Sequence, residues 1–174
     1  LGDDDVRQAL NARRGGRVLG LCGGYQMLGR NVADPQGIEG PATTVEGLGL
    51  LDVDTTLTPD KALTHVLGTH VESGERIEGY EIHLGQTGGP DCSRPFAMIA
   101  GNPDGAISSN GRIAGTYIHG CFGSDDFRHA FLASLGRPTG KLDYAQSIDT
   151  TLDRLAQHLE AHLDLDRLLS IAGK

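Results

Sequence analysis

With 174 residues, of which 38% are apolar, the chain is long enough to bury one hydrophobic core, so we expect a single domain. Its formal charge of −8 opposes binding to a phosphate backbone, and no apolar run is long enough to span a bilayer or to form a signal peptide. Composition therefore argues against nucleic-acid and membrane partners and indicates a cytoplasmic protein whose three cysteines are reduced thiols.

The chain begins with patterns that predict a helix, a strand and a second helix. A weak helical pattern over residues 6–12 is followed by an apolar run at 17–21, which predicts a buried strand. Residues 25–30 suit a helix, so residues 22–24 should form the turn between the strand and that helix.

The middle of the chain, up to residue 119, is punctuated by glycines and rich in β-favouring segments, which predicts sheet and loops. These segments are 47–53, 69–73, 76–84, 96–100 and 112–119.

The last part of the chain carries helical patterns. Residues 124–136 predict a helix with acidic residues in its first turn and a glycine at its end, and polar residues 137–143 suit a linker. A leucine stripe over 152–169 predicts a C-terminal helical stretch, with Asp164 as the candidate for a break, that packs on the body of the domain. The pattern as a whole predicts an α/β fold, a three-layer sandwich with a central, mostly parallel or mixed sheet flanked by helices.

The sharpest local signal is G-x-C-x-G-x-Q, which runs from Gly20 to Gln26 where the first strand is expected to meet a helix. A thiol on such a turn is held out of the sheet, and the positive end of the helix stabilises its thiolate. The backbone N–H of Gly23 then points to where an oxyanion would form. These residues predict a nucleophile at Cys22; the alternative is a small buried cysteine beside two glycines that pack a helix.

A partner base for Cys22 is found at the end of the predicted strand 112–119. His119 stands there, directly before Gly120 and 97 residues after Cys22, so the two can meet only through the fold. A histidine at a strand end is often structural, but its pairing with the elbow favours a catalytic role.

Four segments, the elbow together with 47–63, 78–87 and 115–122, resemble the C-terminal class I glutamine amidotransferase domain of the cobyric acid synthase family. The resemblance covers the chain from about residue 15 to its end. It implies hydrolysis of glutamine, with the ammonia passed to an ATP-dependent synthetase domain that amidates a corrinoid, adenosylcobyrinic acid a,c-diamide, to give cobyric acid in cobalamin biosynthesis. The implied partners are glutamine and, through that domain, the corrinoid. No cofactor is expected in this chain, and ATP and Mg²⁺ are expected in the synthetase domain.

Carried over position by position, the resemblance implies a nucleophile at Cys22 and a general base at His119. It also implies an oxyanion donor and residues that bind the substrate, which are Gly23, Gln26, Glu81 and His83.

The residue that orients the base is left open. In related triad enzymes a glutamate stands two residues after the histidine, whereas this chain has Cys121 there, and a thiol cannot replace that carboxylate. Either the site works as a cysteine–histidine dyad, or another acid such as Glu81 orients His119. Glu81 could equally be an exposed strand carboxylate without a role.

Other readings remain. Family members carry further strands and a synthetase domain before the elbow, whereas 21 residues precede Cys22 here, so we expect residues 1–174 to be an N-terminally truncated amidotransferase domain without its synthetase domain. The function could be that of a related glutaminase, such as cobyrinic acid a,c-diamide synthase or a cell-wall lipid amidating enzyme, or the domain could be non-catalytic. We expect no metal site, because the histidines and cysteines lack the usual zinc spacing.

Overall fold

The structure, a computed structural model, describes residues 16–137, 140 and 143–173. The helix expected at 6–12 and part of the linker expected at 137–143 lie outside these residues. The strands are β1 (Val18–Leu21), β2 (Asn31–Asp34), β3 (Thr43–Glu46), β4 (Asp54–His70), β5 (Arg76–Gly88), β6 (Ala97–Ile99), β7 (Asn102–Asp104), β8 (Ala106–Ile107), β9 (Ile113–Thr116) and β10 (Ile118–His119). The helices are α1 (Gly23–Leu28), α2 (Asp125–Ser134), α3 (Tyr144–His162) and α4 (Leu165–Ile171).

The strands form two sheets that meet near the end of β9. The smaller sheet has the order β1-β9-β8, and the larger has the order β10-β5-β4-β2-β3, with β6 paired to β4 and β7 to β6. Within the described chain, the parallel pairs are β1 with β9 and β2 with β4, and the other pairs are antiparallel. The α/β class with a mixed sheet and flanking helices is therefore confirmed, although antiparallel pairing predominates.

Two clusters of buried side chains hold these layers together. One lies between the larger sheet and α2 and includes Ile77, Phe96, Ile118 and Phe127, while the other lies under α1 and includes Tyr25 and its neighbours. Helix α1 packs on β1 and β9, the parallel pair of the smaller sheet. The two clusters thus fix the carboxyl ends of β1 and β9 side by side.

The segment 47–53 is not the strand that its apolar pattern predicts. It runs irregularly and donates backbone hydrogen bonds to the last turn of α1 and the residues that follow: Leu48 N–H to Met27 O (2.8 Å), and Leu50 and Leu51 N–H to Leu28 O (both 2.9 Å). The carbonyls at a helix end have no partners within the helix, and this segment supplies them. Its apolar pattern reflects the burial of Leu51 and Val53 in the cluster under α1.

The C-terminal helices are confirmed in position, but their expected packing is wrong. Asp143 caps α3 by accepting a hydrogen bond from Gln146 N–H at 2.8 Å, which explains where the helix begins. Neither α3 nor α4 has a buried residue, and Leu152 and Leu155 remain 56% and 51% exposed. Among the described residues nothing covers this stripe. Throughout the described residues, no helix is long and apolar enough to cross a membrane.

His70, at the end of β4, makes the stability of this core depend on pH. Its ring packs against Phe96 and Phe127, with ring centres 4.7 and 4.9 Å away, and its Nδ1 accepts a hydrogen bond from Ser73 N–H. Burial lowers the pKa of His70 below 6.5, an effect that the nearby Glu72 opposes and Arg17 reinforces. The unfolded chain therefore binds this proton more tightly than the folded chain.

We expect the free energy of unfolding to fall as the pH is lowered from 6.5 through the depressed pKa of His70. Denaturant unfolding at a series of pH values measures this fall, and His70→Asn, which retains an acceptor for Ser73 N–H, should reduce it. His65→Asn, at an exposed histidine, serves as the control. An unchanged pH dependence in His70→Asn would contradict the assignment.

Candidate active site

Cys22 occupies a sharp turn between β1 and α1. Its backbone has φ 52° and ψ −115°, a conformation that residues other than glycine rarely adopt. The N–H of Cys22 donates to Thr116 O at 2.9 Å, which ties the turn to the end of β9. The predicted elbow is present, and it holds the thiol out of the sheet at the carboxyl ends of a parallel strand pair.

The glycines around Cys22 serve two different purposes. A Cβ on Gly20 would lie 2.7 Å from the backbone oxygen of Gly24, so Gly20 allows α1 to pack directly on β1. A Cβ on Gly23 would meet nothing within 4 Å, which places Gly23 at an open space in front of the helix. As the first residue of α1, Gly23 has an N–H without an acceptor in the helix, so it can donate to an anion there.

His119 reaches the elbow from the larger sheet. Strand β10 pairs with β5 so that His119 lies opposite Tyr80, and the His119 Nε2 is 3.3 Å from Ile82 O. The Cys22 thiol donates to the same oxygen at 3.2 Å. The fold therefore brings together two residues that lie 97 positions apart. In this arrangement both face the Ile82 carbonyl, so thiol and ring must turn toward each other before a proton can pass between them.

Glu81 does not orient His119. In the antiparallel register Glu81 lies opposite Ile118, so its side chain is on the other face of the pair from that of His119. Its carboxylate instead lies 2.9 Å from the His83 Nε2. In the described part of the chain no carboxylate forms a hydrogen bond or ion pair with the His119 ring, whose contact is with Ile82 O.

The His83 ring is held from both sides. Its Nδ1 is 3.0 Å from Gly85 O and its Nε2 is 2.9 Å from Glu81 Oε1, and both partners are acceptors. Both contacts are satisfied only when the ring donates from both nitrogens or when Glu81 carries a proton. The ring also stacks on Tyr117 with the centres 3.8 Å apart and an angle of 18° between the planes. His83 is thus a rigid wall of the site.

Gln26 connects α1 to the larger sheet. Its Nε2 donates to Leu84 O at 3.1 Å and lies 3.3 Å from the Tyr117 hydroxyl. Beside it, an open cleft of about 280 Å³ has a size near the lower end of ligand pockets, which span roughly 300–1,000 Å³. The residues that line it are Cys22, Gly23, Gln26, Glu39, Leu57, Ile82, His83 and Leu84.

Four of the six predicted site residues, Cys22, Gly23, Gln26 and His83, line this cleft. Glu81 lines a neighbouring cleft that also includes His83, and His119 approaches from β10 through its contact with Ile82 O. The residues that sequence reasoning missed act through backbone oxygens, as Ile82 and Leu84 do, or lie on a separate loop, as Glu39 does. Nothing in their side-chain types signals these positions.

Cys121, which stands where related triad enzymes have a glutamate, belongs to the core. It is fully buried, and burial raises the pKa of its thiol to about 11. Cys92 is half-buried, with its sulfur 3.8 Å from the Tyr25 hydroxyl. Among the described residues no three His, Cys, Asp or Glu side chains are grouped so as to hold a metal ion.

Comparison with known proteins shows the family of the chain. The family model of the CobB/CobQ-like glutamine amidotransferase domain matches residues 3–127. The chain is 62% identical to a cobyric acid synthase of Cereibacter sphaeroides, over 97% of this chain and 35% of that protein. It is 56% identical to the cobyric acid synthases of Rhodobacter capsulatus and Bradyrhizobium diazoefficiens, with the same coverage in both. The chain thus spans about a third of the length of these curated relatives, 35% in each case.

Proposed function

Since the chain belongs to the CobB/CobQ-like glutamine amidotransferase family, we propose that it hydrolyses glutamine to glutamate and ammonia with Cys22 as nucleophile and His119 as base. The observation that supports this most is the convergence of the Cys22 thiol and the His119 ring on the Ile82 carbonyl, beside a cleft with the open N-terminus of α1.

The reaction proceeds in two halves. His119 takes the proton from Cys22, and the sulfur forms a bond to the side-chain amide carbon of glutamine while Gly23 N–H donates to the resulting oxyanion. His119 returns the proton to the amide nitrogen, the C–N bond breaks, and ammonia leaves a thioester on Cys22. Water then attacks the thioester, His119 takes a proton from the water and gives it to the sulfur, and glutamate is released.

The cleft suits an amino-acid substrate. Glu39 supplies a carboxylate at its rim to face the α-ammonium group, and Asp34 orders that loop by accepting from Ile38 N–H and Glu39 N–H at 2.8 and 2.9 Å. These backbone hydrogen bonds hold the pKa of Asp34 below its usual value, so the loop keeps its anchor at neutral pH.

We further infer that the ammonia serves the amidation of corrinoid carboxylates, in keeping with the name of the relatives, cobyric acid synthase. ATP, Mg²⁺ and the corrinoid would then bind to the part of such enzymes that this chain does not match.

Selective alkylation tests the role of Cys22. A glutamine-analogue alkylating agent should label Cys22 at least roughly 10-fold faster than Cys92 or Cys121, because Cys22 lines the cleft at a helix N-terminus while Cys121 is a buried, protonated thiol. Mass spectrometry of peptides measures the labelling, glutamate release is assayed in parallel, and excess glutamine should protect Cys22.

Cys22→Ser is the matched control and should abolish both the selective label and glutamate release. Equal labelling of all three cysteines, together with no glutamate release, would contradict the proposal and favour a non-catalytic member of the family.

A further inference from the structure

A chain of three hydroxyl groups, two of them on buried residues, leads from Gln26 into the core. The Tyr117 hydroxyl lies 3.3 Å from Gln26 Nε2 and 2.5 Å from Thr87 Oγ1, and Thr87 Oγ1 lies 2.7 Å from Thr55 Oγ1. Tyr117 and Thr55 are only 6% and 1% exposed, whereas Thr87 between them is partly buried and lines a neighbouring cleft together with Tyr117. The chain links α1, the β9–β10 junction, β5 and β4 behind the cleft.

The hydrogen-bond partners of Gln26 fix the orientation of its side-chain amide. Leu84 O can only accept, so the Gln26 amide must present its nitrogen to it, and the second N–H of that nitrogen faces the Tyr117 hydroxyl. Burial raises the pKa of Tyr117, so the phenol keeps its proton. Because its oxygen faces a Gln26 N–H, its O–H can donate to Thr87 Oγ1, which also contacts Thr55 Oγ1. Both N–H groups of Gln26 are then occupied, and its carbonyl oxygen is left as an acceptor beside the cleft.

We propose that Tyr117, Thr87 and Thr55 are positioning residues that hold the Gln26 carbonyl oxygen toward the cleft, where it accepts a hydrogen bond from an N–H group of the substrate. The proposal rests on the proposed glutamine hydrolysis. Leu84 O engages one N–H of Gln26 and the Tyr117 hydroxyl engages the other, so the two contacts together fix the plane of the amide. Without the hydroxyl groups, the amide plane could turn about the Leu84 contact and carry the carbonyl oxygen away from the cleft.

Tyr117 also has a packing role that must be separated from its hydroxyl. Its ring stacks on His83 and meets the Tyr25 ring edge-on at 5.1 Å. Tyr117→Phe retains the ring and removes only the oxygen. Tyr25→Phe is the matched control, because it removes a hydroxyl buried in the same cluster whose contact is to the Cys92 sulfur, away from the chain.

The test measures the kinetics of glutamate release by the full 174-residue protein. Tyr117→Phe should raise KM for glutamine about 10-fold and change kcat less than about 3-fold, since a hydrogen bond that orients a binding group is lost. Thr87→Val should also raise KM. Thr87→Ser, which keeps the hydroxyl, and Tyr25→Phe should both have the KM of the unsubstituted protein. The double variant Tyr117→Phe/Thr87→Val should have the KM of Tyr117→Phe alone, because the two residues act in series.

A second readout does not require turnover. The glutamine concentration that half-protects Cys22 from iodoacetamide should rise with KM in the same variants. An unchanged KM and protection constant in Tyr117→Phe, or an equal change in Tyr25→Phe, would overturn the inference while leaving glutamine hydrolysis standing. Absence of both glutamate release and protection in the unsubstituted chain would overturn the proposed function and this inference with it.

Discussion

His119→Ala is expected to lower kcat for glutamate release by about 10³–10⁴-fold, the contribution typical of a general base that also returns the proton to the leaving group. The ring and the Cys22 thiol share Ile82 O as a hydrogen-bond partner, and no other histidine contacts that oxygen among the described residues. Since His119 is only partly buried, the melting temperature should change little.

Glutamate release under saturating glutamine measures this effect, and circular dichroism checks that the fold is kept. His65→Ala, at an exposed histidine on β4, should retain full activity. Full activity in His119→Ala, or a loss of the same size in His65→Ala, would show that His119 is not the base.

Gly79→Ala is expected to reduce activity about 100-fold without changing any catalytic side chain. A Cβ at Gly79 would overlap the backbone carbonyl oxygen of His119 and press on the Ile118 side chain at 2.8 Å. Strand β10 has only two residues, so it must shift away from β5, and a displacement of about 1 Å in a catalytic group is enough for a loss of this size. The overpacking should also cost about 1–3 kcal/mol of unfolding free energy.

Gly88→Ala is the control in the same strand, because a Cβ there meets nothing within 4 Å. Activity and denaturant unfolding of the two variants are compared side by side. If Gly79→Ala is as active and as stable as Gly88→Ala, then β10 does not need its close approach to β5.

The elbow could be predicted from the sequence because everything that defines it is local. An apolar strand, a cysteine flanked by glycines and a helical pattern follow one another within a dozen residues, and each limits the backbone directly. The position of Glu81 could not be predicted in this way. Whether Glu81 shares a face with His119 depends on the pairing register of β5 with β10, and a shift of one residue would change it. Glu81 and His83 share a face of β5 in either register.

The segment 47–53 and the C-terminal helix show a second limit. Apolar residues predict burial, and those of 47–53 are indeed buried. They belong, however, to an irregular segment that caps the end of α1, not to a strand. In α3 the leucine stripe identifies the helix and its apolar face correctly, yet periodicity carries no information about what that face contacts.

The role proposed here for Tyr117 could not be predicted, because a tyrosine between β-favouring residues looks like an ordinary core position. Residues 112–119 read as one strand, whereas the structure divides them into β9 and β10, which belong to different sheets. The division comes from long-range pairing of β9 with β1 and of β10 with β5. Local β propensity carries no information about these pairings.

Because β9 and β10 belong to different sheets, the proposed nucleophile and base lie on opposite sides of the seam where the two sheets meet. Cys22 moves with the smaller sheet through β1, and His119 moves with the larger one through β5, while a single residue, Tyr117, joins the strands that carry them. The distance between the Cys22 sulfur and the His119 ring therefore depends on how the two sheets are held against each other. Besides Tyr117, Gly105 joins β7 to β8 across the same seam, and Gln26 ties α1 to Leu84 O on β5. Several contacts spread over the seam, rather than the residues next to the sulfur and the ring alone, thus set this distance.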